Sequence, residues 1–269
     1  QILNEQQAAK AFSRQSPVFD KTYSTNKLIQ YKRTRVREHV NELIAPNSEI
    51  LELNAGTGED AIYFAKQGHS VHATDISEGM QNILREKVRL NKLEKKISAE
   101  LCSFTQLENL KDLGPFDLIF SNFAGLNCTN QLDKVLHSFS SLLKPGGIVT
   151  LVILPQLCLW ESLLLFKGKL KTAFRRSFSK KGRKAHIEGE YFLCWYYNPS
   201  TIRKTLKKEF KVLKIEALCT FVPPSYIENF VDKHPKSFRF LKNLESKWKS
   251  RWPWRSIGDY YIISLRKSL

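Results

Sequence analysis

The sequence predicts an α/β fold, a mostly parallel sheet covered by helices on both faces. Three observations predict it. Between residues 47 and 155, apolar runs of strand length alternate with segments of helical period. The first of these runs empties into a turn carrying Gly56 and Gly58, and a helical segment follows at once. Two strands joined through a single helix run parallel, because a crossover of that length returns the chain to the same end of the sheet.

Taken in order, Glu49-Ile-Leu-Glu-Leu53 reads as a short buried strand, 58–66 as a helix ending near Gly68, and 70–74 as a second strand. A helix over 77–90, strands near 97–102 and 116–121, and a helix over 129–142 continue the alternation. Lys144-Pro-Gly-Gly147 then stops the helix and launches a buried strand over 147–154. After Leu154 the rhythm breaks. Residues 157–184 read as helical and then strongly basic, and 191–197 is an aromatic run with strand propensity. The Asn198-Pro-Ser turn opens a helix over 199–209, and a strand follows over 210–221 until Pro223-Pro224 ends it. A basic helical insert fills roughly 225–250, and 259–266 closes the chain as a strand. The expected organisation is an N-terminal helical lid (1–46), a core (47–155), a basic and aromatic cap (156–198), and a C-terminal part of the core (199–269) with a helical insert at 223–256.

The segment richest in chemistry is Ile50-Leu-Glu52-Leu-Asn54-Ala-Gly56-Thr-Gly58-Glu-Asp60. Glycine in such a turn lets backbone approach a ligand and adopt conformations that a Cβ forbids. Asp75 ends the next strand, where a carboxylate can accept both hydroxyls of a ribose. A plainer reading makes Asp75 a helix N-cap, since Glu78 follows three residues later in capping-box spacing. A third spaced glycine and phosphate-reading residues are lacking, which weighs against a dinucleotide.

Together these features resemble the class I S-adenosylmethionine-dependent methyltransferases. The first motif of that family, acidic-apolar-Gly-any-Gly-any-Gly, stands here as Glu52-Leu-Asn54-Ala-Gly56-Thr-Gly58. The resemblance continues through Asp75, Phe116-Asp-Leu-Ile-Phe-Ser-Asn122 and Leu143-Lys-Pro-Gly-Gly147, and so spans about residues 47–155. It implies a Rossmann-like, doubly wound seven-stranded sheet, mostly parallel with its last strand antiparallel, plus cap insertions. It also implies S-adenosyl-L-methionine as cofactor and S-adenosyl-L-homocysteine as product. By the same resemblance, Glu52 orients the loop and the methionine ammonium, and Gly56 and Gly58 let backbone approach the cofactor. Asp75 holds the ribose diol, Met80 walls the adenine, and Ile76 and Asn122 are further cofactor-binding candidates. Because a parallel sheet places its ligand at the carboxyl ends of the strands, Asn122 and Phe123 are expected to border the methyl group.

Two departures stand out. Asn54 replaces the first glycine of the motif, a change the turn tolerates because asparagine enters left-handed backbone more readily than other side chains. The acidic residue that commonly follows strand three and meets the adenine amino group is replaced by Cys102-Ser103-Phe104. That leaves the Ser103 hydroxyl and the Phe104 ring to read the base. Enzymes of the superfamily that methylate the amino group of adenine or glutamine carry Asp/Asn-Pro-Pro-Tyr after strand four, whereas this chain has Ser121-Asn-Phe-Ala124.

Acceptor chemistry is expected from the lid, with Phe12, Phe19, Asp20 and Tyr23, and from the cap. His186, Tyr191 and Tyr196 are the catalytic candidates, and His186 has the intrinsic pKa for a general base near neutrality. A blander alternative puts the aromatic run on an extra edge strand of the core. The charge arithmetic is one-sided: 43 basic against 26 acidic residues, a net +17, in 269 residues. Nine basic residues and no acidic one lie between Lys167 and Lys184, interleaved with Phe174 and Phe178, and the C-terminal insert adds more beside Trp248, Trp252 and Trp254. Such a mix suits an anionic membrane surface, a nucleic acid, or simply a solvated basic face.

The five cysteines form no C-x-x-C pair, so neither a disulfide framework nor a metal site is indicated. The greasiest run, 148–166, is broken by Pro155, Gln156 and Glu161 and is not expected to span a membrane. The chain opens on Gln1 without a signal-type apolar run, as expected of a trimmed start, and the expected location is cytoplasmic or peripheral to a membrane. The functional expectation is methyl transfer to an oxygen or nitrogen of a small-molecule or lipid-like acceptor. An RNA methyltransferase and a non-catalytic cofactor-binding scaffold are the competing readings.

Overall fold

A computed structural model of the chain describes residues 2–164, 168, 170, 175–177 and 181–269. Two helices, α1 (Ile2–Ser24) and α2 (Lys27–Asn41), precede the sheet. Asn26 Oδ1 caps α2 by accepting the N–H groups of Leu28 (3.0 Å) and Ile29 (3.1 Å). The alternation that follows is β1 (Glu49–Leu53), α3 (Glu59–Lys66), β2 (Ser70–Asp75), α4 (Glu78–Leu90), β3 (Ile97–Leu101) and β4 (Phe116–Ser121). The expected single helix over 129–142 is instead two short ones, α5 (Leu132–His137) and α6 (Phe139–Leu142), parted at Ser138. Strand β5 (Leu143–Ile153) begins earlier than its apolar run, because Leu143 pairs with Phe116 before a bulge absorbs the Pro-Gly-Gly turn.

The sheet has seven strands in the order β3-β2-β1-β4-β5-β9-β8, where β8 is Phe210–Leu218 and β9 is Tyr260–Lys267. The first five are mutually parallel, and β9 inserts antiparallel to both of its neighbours. Parallel strands covered on both faces bury nearly every side chain, which is why all of β1 after Glu49 is buried, the charged Glu52 included. Strand alternation sorts the two cores. Ile50, Leu118, Phe120 and Val152 pack under α2, α3 and α4, whereas Leu51, Leu53, Ile119 and Leu151 face α5, α6 and α8 (Pro199–Leu206). Glu52 shares the parity of Ile50, so its carboxylate turns toward α2 and α3.

The cap differs from expectation. Helix α7 (Leu159–Ser162) is short, four of the nine basic residues of the stretch (Lys167, Lys169, Lys171 and Lys180) and Phe174 and Phe178 lie outside the described residues, and the segment returns as a hairpin of β6 (Arg183–Ile187) and β7 (Glu190–Cys194). Glu188 (φ 45°) and Gly189 (φ 79°) form its two-residue left-handed turn, the connection that suits the twist of a tight hairpin. The first part of the aromatic run, 191–194, therefore belongs to a separate two-stranded sheet and not to an edge strand of the core, while Tyr197 packs on the core outside any strand. The C-terminal insert contains α9 (Phe230–Lys233) and α10 (Pro235–Trp248). Among the described residues no helix is long and apolar enough to cross a membrane.

Candidate functional site

The carboxyl ends of β1, β2 and β4 converge on a cavity of about 920 Å³, counting its open mouth. The turn after β1 forms its floor. Asn54 takes φ 47°, and its side chain locks the turn to the neighbouring strand: Nδ2 donates to Asn122 O (2.8 Å) and Oδ1 accepts from Ser121 Oγ (2.6 Å). Gly125 leaves room for this arrangement, since a Cβ there would fall 2.2 Å from Asn54 Cγ. At Gly56 (φ 56°) a Cβ would meet nothing within 4 Å, so this backbone borders open space. Gly58 does something else. It precedes α3 at φ 78°, lies outside the cavity lining, and a Cβ there would press on Leu84 at 2.7 Å.

Asp75 lines the cavity beside the turn. Its Oδ2 accepts Gly56 N–H and its Oδ1 accepts Ser77 N–H, both at 2.8 Å. Burial raises its carboxyl above the usual range, and those N–H groups oppose the shift. The N-cap of α4 is Ser77, whose Oγ accepts Met80 N–H (3.3 Å), so Asp75 is not the capping residue. Glu52 is 2% exposed, and its Oε2 has no hydrogen-bond partner. Burial, then the charge of Asp60, pushes its carboxyl well above the ordinary range, against the pull of Arg33 and Arg37. Asp60 is by contrast engaged on both oxygens, by Arg37 Nε (2.7 Å) and by Asn122 Nδ2 (2.8 Å).

Ile76, Met80, Ser103, Phe104 and Asn122 also line the cavity. Its roof is α1, which contributes Glu5, Ala8, Ala9, Phe12 and Phe19. Asp20 accepts from Thr57 Oγ1 (2.6 Å) and pairs with Lys87 (2.8 Å), and Ser13 Oγ meets Ser77 Oγ at 2.8 Å, so the roof is bonded to the floor turn and to α4. Arg33 of α2 forms part of the wall. Its guanidinium carbon lies 5.3 Å from the Phe123 ring centroid, and its Nε has no partner.

His186, Tyr191 and Tyr196 are not in the cavity lining. His186 and Tyr191 pair across the hairpin and stack on its exposed face, with ring centroids 4.5 Å apart. The opposite face, with Ala185, Phe192 and Cys194, packs on α1, so the hairpin buttresses the lid. Tyr196 is buried beneath the Arg176 guanidinium, which is itself held by Glu161 and Asp259. Glu5, Arg33 and Asp60 were not among the sequence candidates. Local sequence holds no signal for the first two, because each reaches the cavity through helix docking.

Residues 50–147 match a family model described as a methyltransferase domain. A demethylmenaquinone methyltransferase from Bacteroides fragilis is 34% identical over 146 residues, an alignment covering 53% of this chain and 58% of that one. Among solved structures, a 1,6-didemethyltoxoflavin-N1-methyltransferase from Burkholderia thailandensis superposes with a TM-score of 0.57 at 14% identity, covering 98% of this chain and 88% of that one. A 4+2 cyclase superposes with a TM-score of 0.63 at 15% identity, covering 99% and 97%. At such identities the structural likeness speaks to fold, and the same fold serves more than one chemistry.

Proposed function

We propose that this chain, which matches a methyltransferase-domain family model over residues 50–147, is a class I S-adenosylmethionine-dependent methyltransferase that transfers a methyl group to an oxygen or nitrogen of a small or lipid-like acceptor. The observation that carries the reading is the unpartnered oxygen of Glu52 in the same roofed cavity as Asp75. A buried carboxylate oxygen without a donor is costly, and an incoming ammonium relieves that cost. The donor set fits the cofactor: Glu52 would hold the methionine ammonium, Asp75 the ribose diol, and Ile76, Met80 and Phe104 the adenine faces. When bound, S-adenosylmethionine supplies an electrophilic methyl group on a sulfonium.

The chain's own contribution is alignment and the exclusion of water. The Asn54 bonds fix the floor turn against β4, and the α1 roof screens the cavity, which strengthens every electrostatic contact within it. Among the described lining residues there is no histidine, lysine or tyrosine. The favoured acceptor therefore arrives already nucleophilic, as an anion or an unprotonated amine, with Arg33, which pairs with Asp60 at 3.7 Å and keeps its Nε unpartnered beside Phe123, as the cationic donor in the lining. The roof supports a small acceptor over a nucleic acid. The demethylmenaquinone relative supports a lipid-like one, as does the exposed Phe240 and Trp252 beside Lys236, Arg239 and Arg251 in the C-terminal insert.

Calorimetry with S-adenosylhomocysteine tests the cofactor reading, with Asp75→Ala as the weakened control. No binding by the wild-type protein at about 1 mM ligand, the floor of useful affinity, would overturn it. Transfer of labelled methyl groups into lipid extracts and into purified RNA then separates the acceptor classes. Binding without transfer to any acceptor favours the scaffold reading.

A further inference from the structure

The base-reading end of the cavity carries an inference of its own, and it rests on the cofactor reading above. Ser103 stands where a carboxylate is wanted, yet a carboxylate is present in space. Glu5 of α1 is 7% exposed and lines the cavity together with Ser103 and Phe104. Its Oε2 accepts two hydroxyls, Ser103 Oγ at 2.8 Å and Thr105 Oγ1 at 2.8 Å. The two hydroxyls also lie 2.9 Å from each other, so their protons are shared between that oxygen and this mutual contact and are engaged within the cluster. Oε1 has no hydrogen-bond partner among the described residues. A nearly buried carboxylate with one satisfied and one free oxygen, at the end of a cavity walled by Phe104, Met80 and Ile76, is built to accept an N–H from a flat apolar-faced ring.

We infer that Glu5, delivered by the lid helix, is the carboxylate that accepts the exocyclic amino group of the adenine, with Ser103 and Thr105 as its positioning residues. Base recognition and lid closure then become one event. Helix α1 is tied to the site at several points, through Asn4 Nδ2 to Cys128 O (2.9 Å), the Ser13 and Ser77 hydroxyls (2.8 Å) and Asp20 to Thr57 (2.6 Å). A ligand that engages Glu5 adds a further tie.

The test compares S-adenosylhomocysteine with S-inosylhomocysteine, which carries an acceptor oxygen in place of the amino group. The wild-type protein should favour the adenosyl compound about 10- to 100-fold by calorimetry, the range for a hydrogen bond to a charged group. Glu5→Gln offers a donor as well as an acceptor and should bring that ratio near one. In a Glu5→Ala background, Ser103→Asp should restore it. A purely structural Glu5 would weaken both ligands equally, so an unchanged ratio in Glu5→Gln overturns the inference and leaves the cofactor reading intact. A wild-type ratio of one does the same. Failure of the wild-type protein to bind either compound overturns the inference together with the reading beneath it. Hydrogen exchange supplies a second measurement: the adenosyl compound should slow exchange across 2–24 more than the inosyl compound does, and equal protection counts against Glu5.

Discussion

Glu52 and Glu216 are both buried carboxylates on the same sheet, and their surroundings are opposite. Glu216, on β8, is met by His39 Nδ1 (2.9 Å), Lys249 Nζ (2.9 Å), Lys214 Nζ (3.0 Å) and Arg35 (3.5 Å). Those partners hold its carboxyl well below the usual range despite burial. Glu52, on β1, has an oxygen with no partner, and its carboxyl is driven upward. Glu245 of α10 repeats the satisfied pattern with three backbone N–H groups, from Cys219 (2.7 Å), Phe221 (3.0 Å) and Val222 (3.0 Å). The difference suggests how to tell a structural charge from a binding one: Glu216 and Glu245 are completed internally, as Asp60 is within the cavity, while Glu52 alone of these keeps an oxygen that a ligand could engage.

The sharpest way to break this comparison is Glu216→Ala, which leaves the basic cluster without its counter-charge. It should cost about 3–5 kcal/mol in denaturant unfolding. Glu52→Gln should cost nothing or stabilise the free protein, because an amide removes an uncompensated buried carboxylate. Equal losses from the two would end the distinction.

Next in size is the ligand side. Asp75→Ala should weaken S-adenosylhomocysteine about 10- to 100-fold, the loss of a charge-assisted acceptor for two hydroxyls. Glu216 is remote from the cavity lining, so a conservative Glu216→Gln should leave that affinity within about twofold, as for distant independent sites.

The pH dependences should run through opposite groups. Glu52 is raised in the free protein, and a bound ammonium would lower it, so binding releases a proton. Affinity should therefore climb as pH rises from the ordinary carboxylate value of about 4.3 to the elevated one, and level above it. Calorimetry in buffers of different ionisation enthalpy measures that proton, which should vanish in Glu52→Gln. Glu216 is depressed in the folded state, so its stabilisation is present above about pH 4.3 and is lost as pH falls through its lower folded value. Acid titration of the melting temperature reads that loss.

The smallest effect is expected at the hairpin. His186→Ala and Tyr191→Ala remove an exposed stacked pair, and each should change stability by no more than about 0.5 kcal/mol and leave cofactor affinity unaltered. A tenfold loss of cofactor affinity in either would show that the hairpin's outer face reaches the site.

Much of the cavity floor was legible residue by residue. The strand ending at Leu53, the glycine turn, Asp75 and the β4 terminus sit in one local pattern each, and parallel pairing brings their ends together without further information. The cap was legible as an insertion only. Its aromatic run has strand propensity, but whether that strand joins the core, covers the cavity or props the lid depends on which face finds an apolar partner. Here Phe192 found Phe12 of α1, at 5.8 Å between ring centroids, and that contact turned His186 and Tyr191 outward.

By itself the sequence determined the strand and helix alternation, the left-handed floor turn that Asn54 and the glycines tolerate, and the side of the sheet on which Glu52 emerges. These are consequences of period, backbone sterics and alternation, all of which act within a few residues. Only the tertiary structure decided who completes the site. Glu5 meets Ser103 across a separation of 98 residues and Arg33 joins the wall from another helix, contacts set by how α1 and α2 dock rather than by any local preference. A missing acid at one position and an unclaimed acid far away look unrelated along the chain, and become one feature once a helix is laid over the sheet.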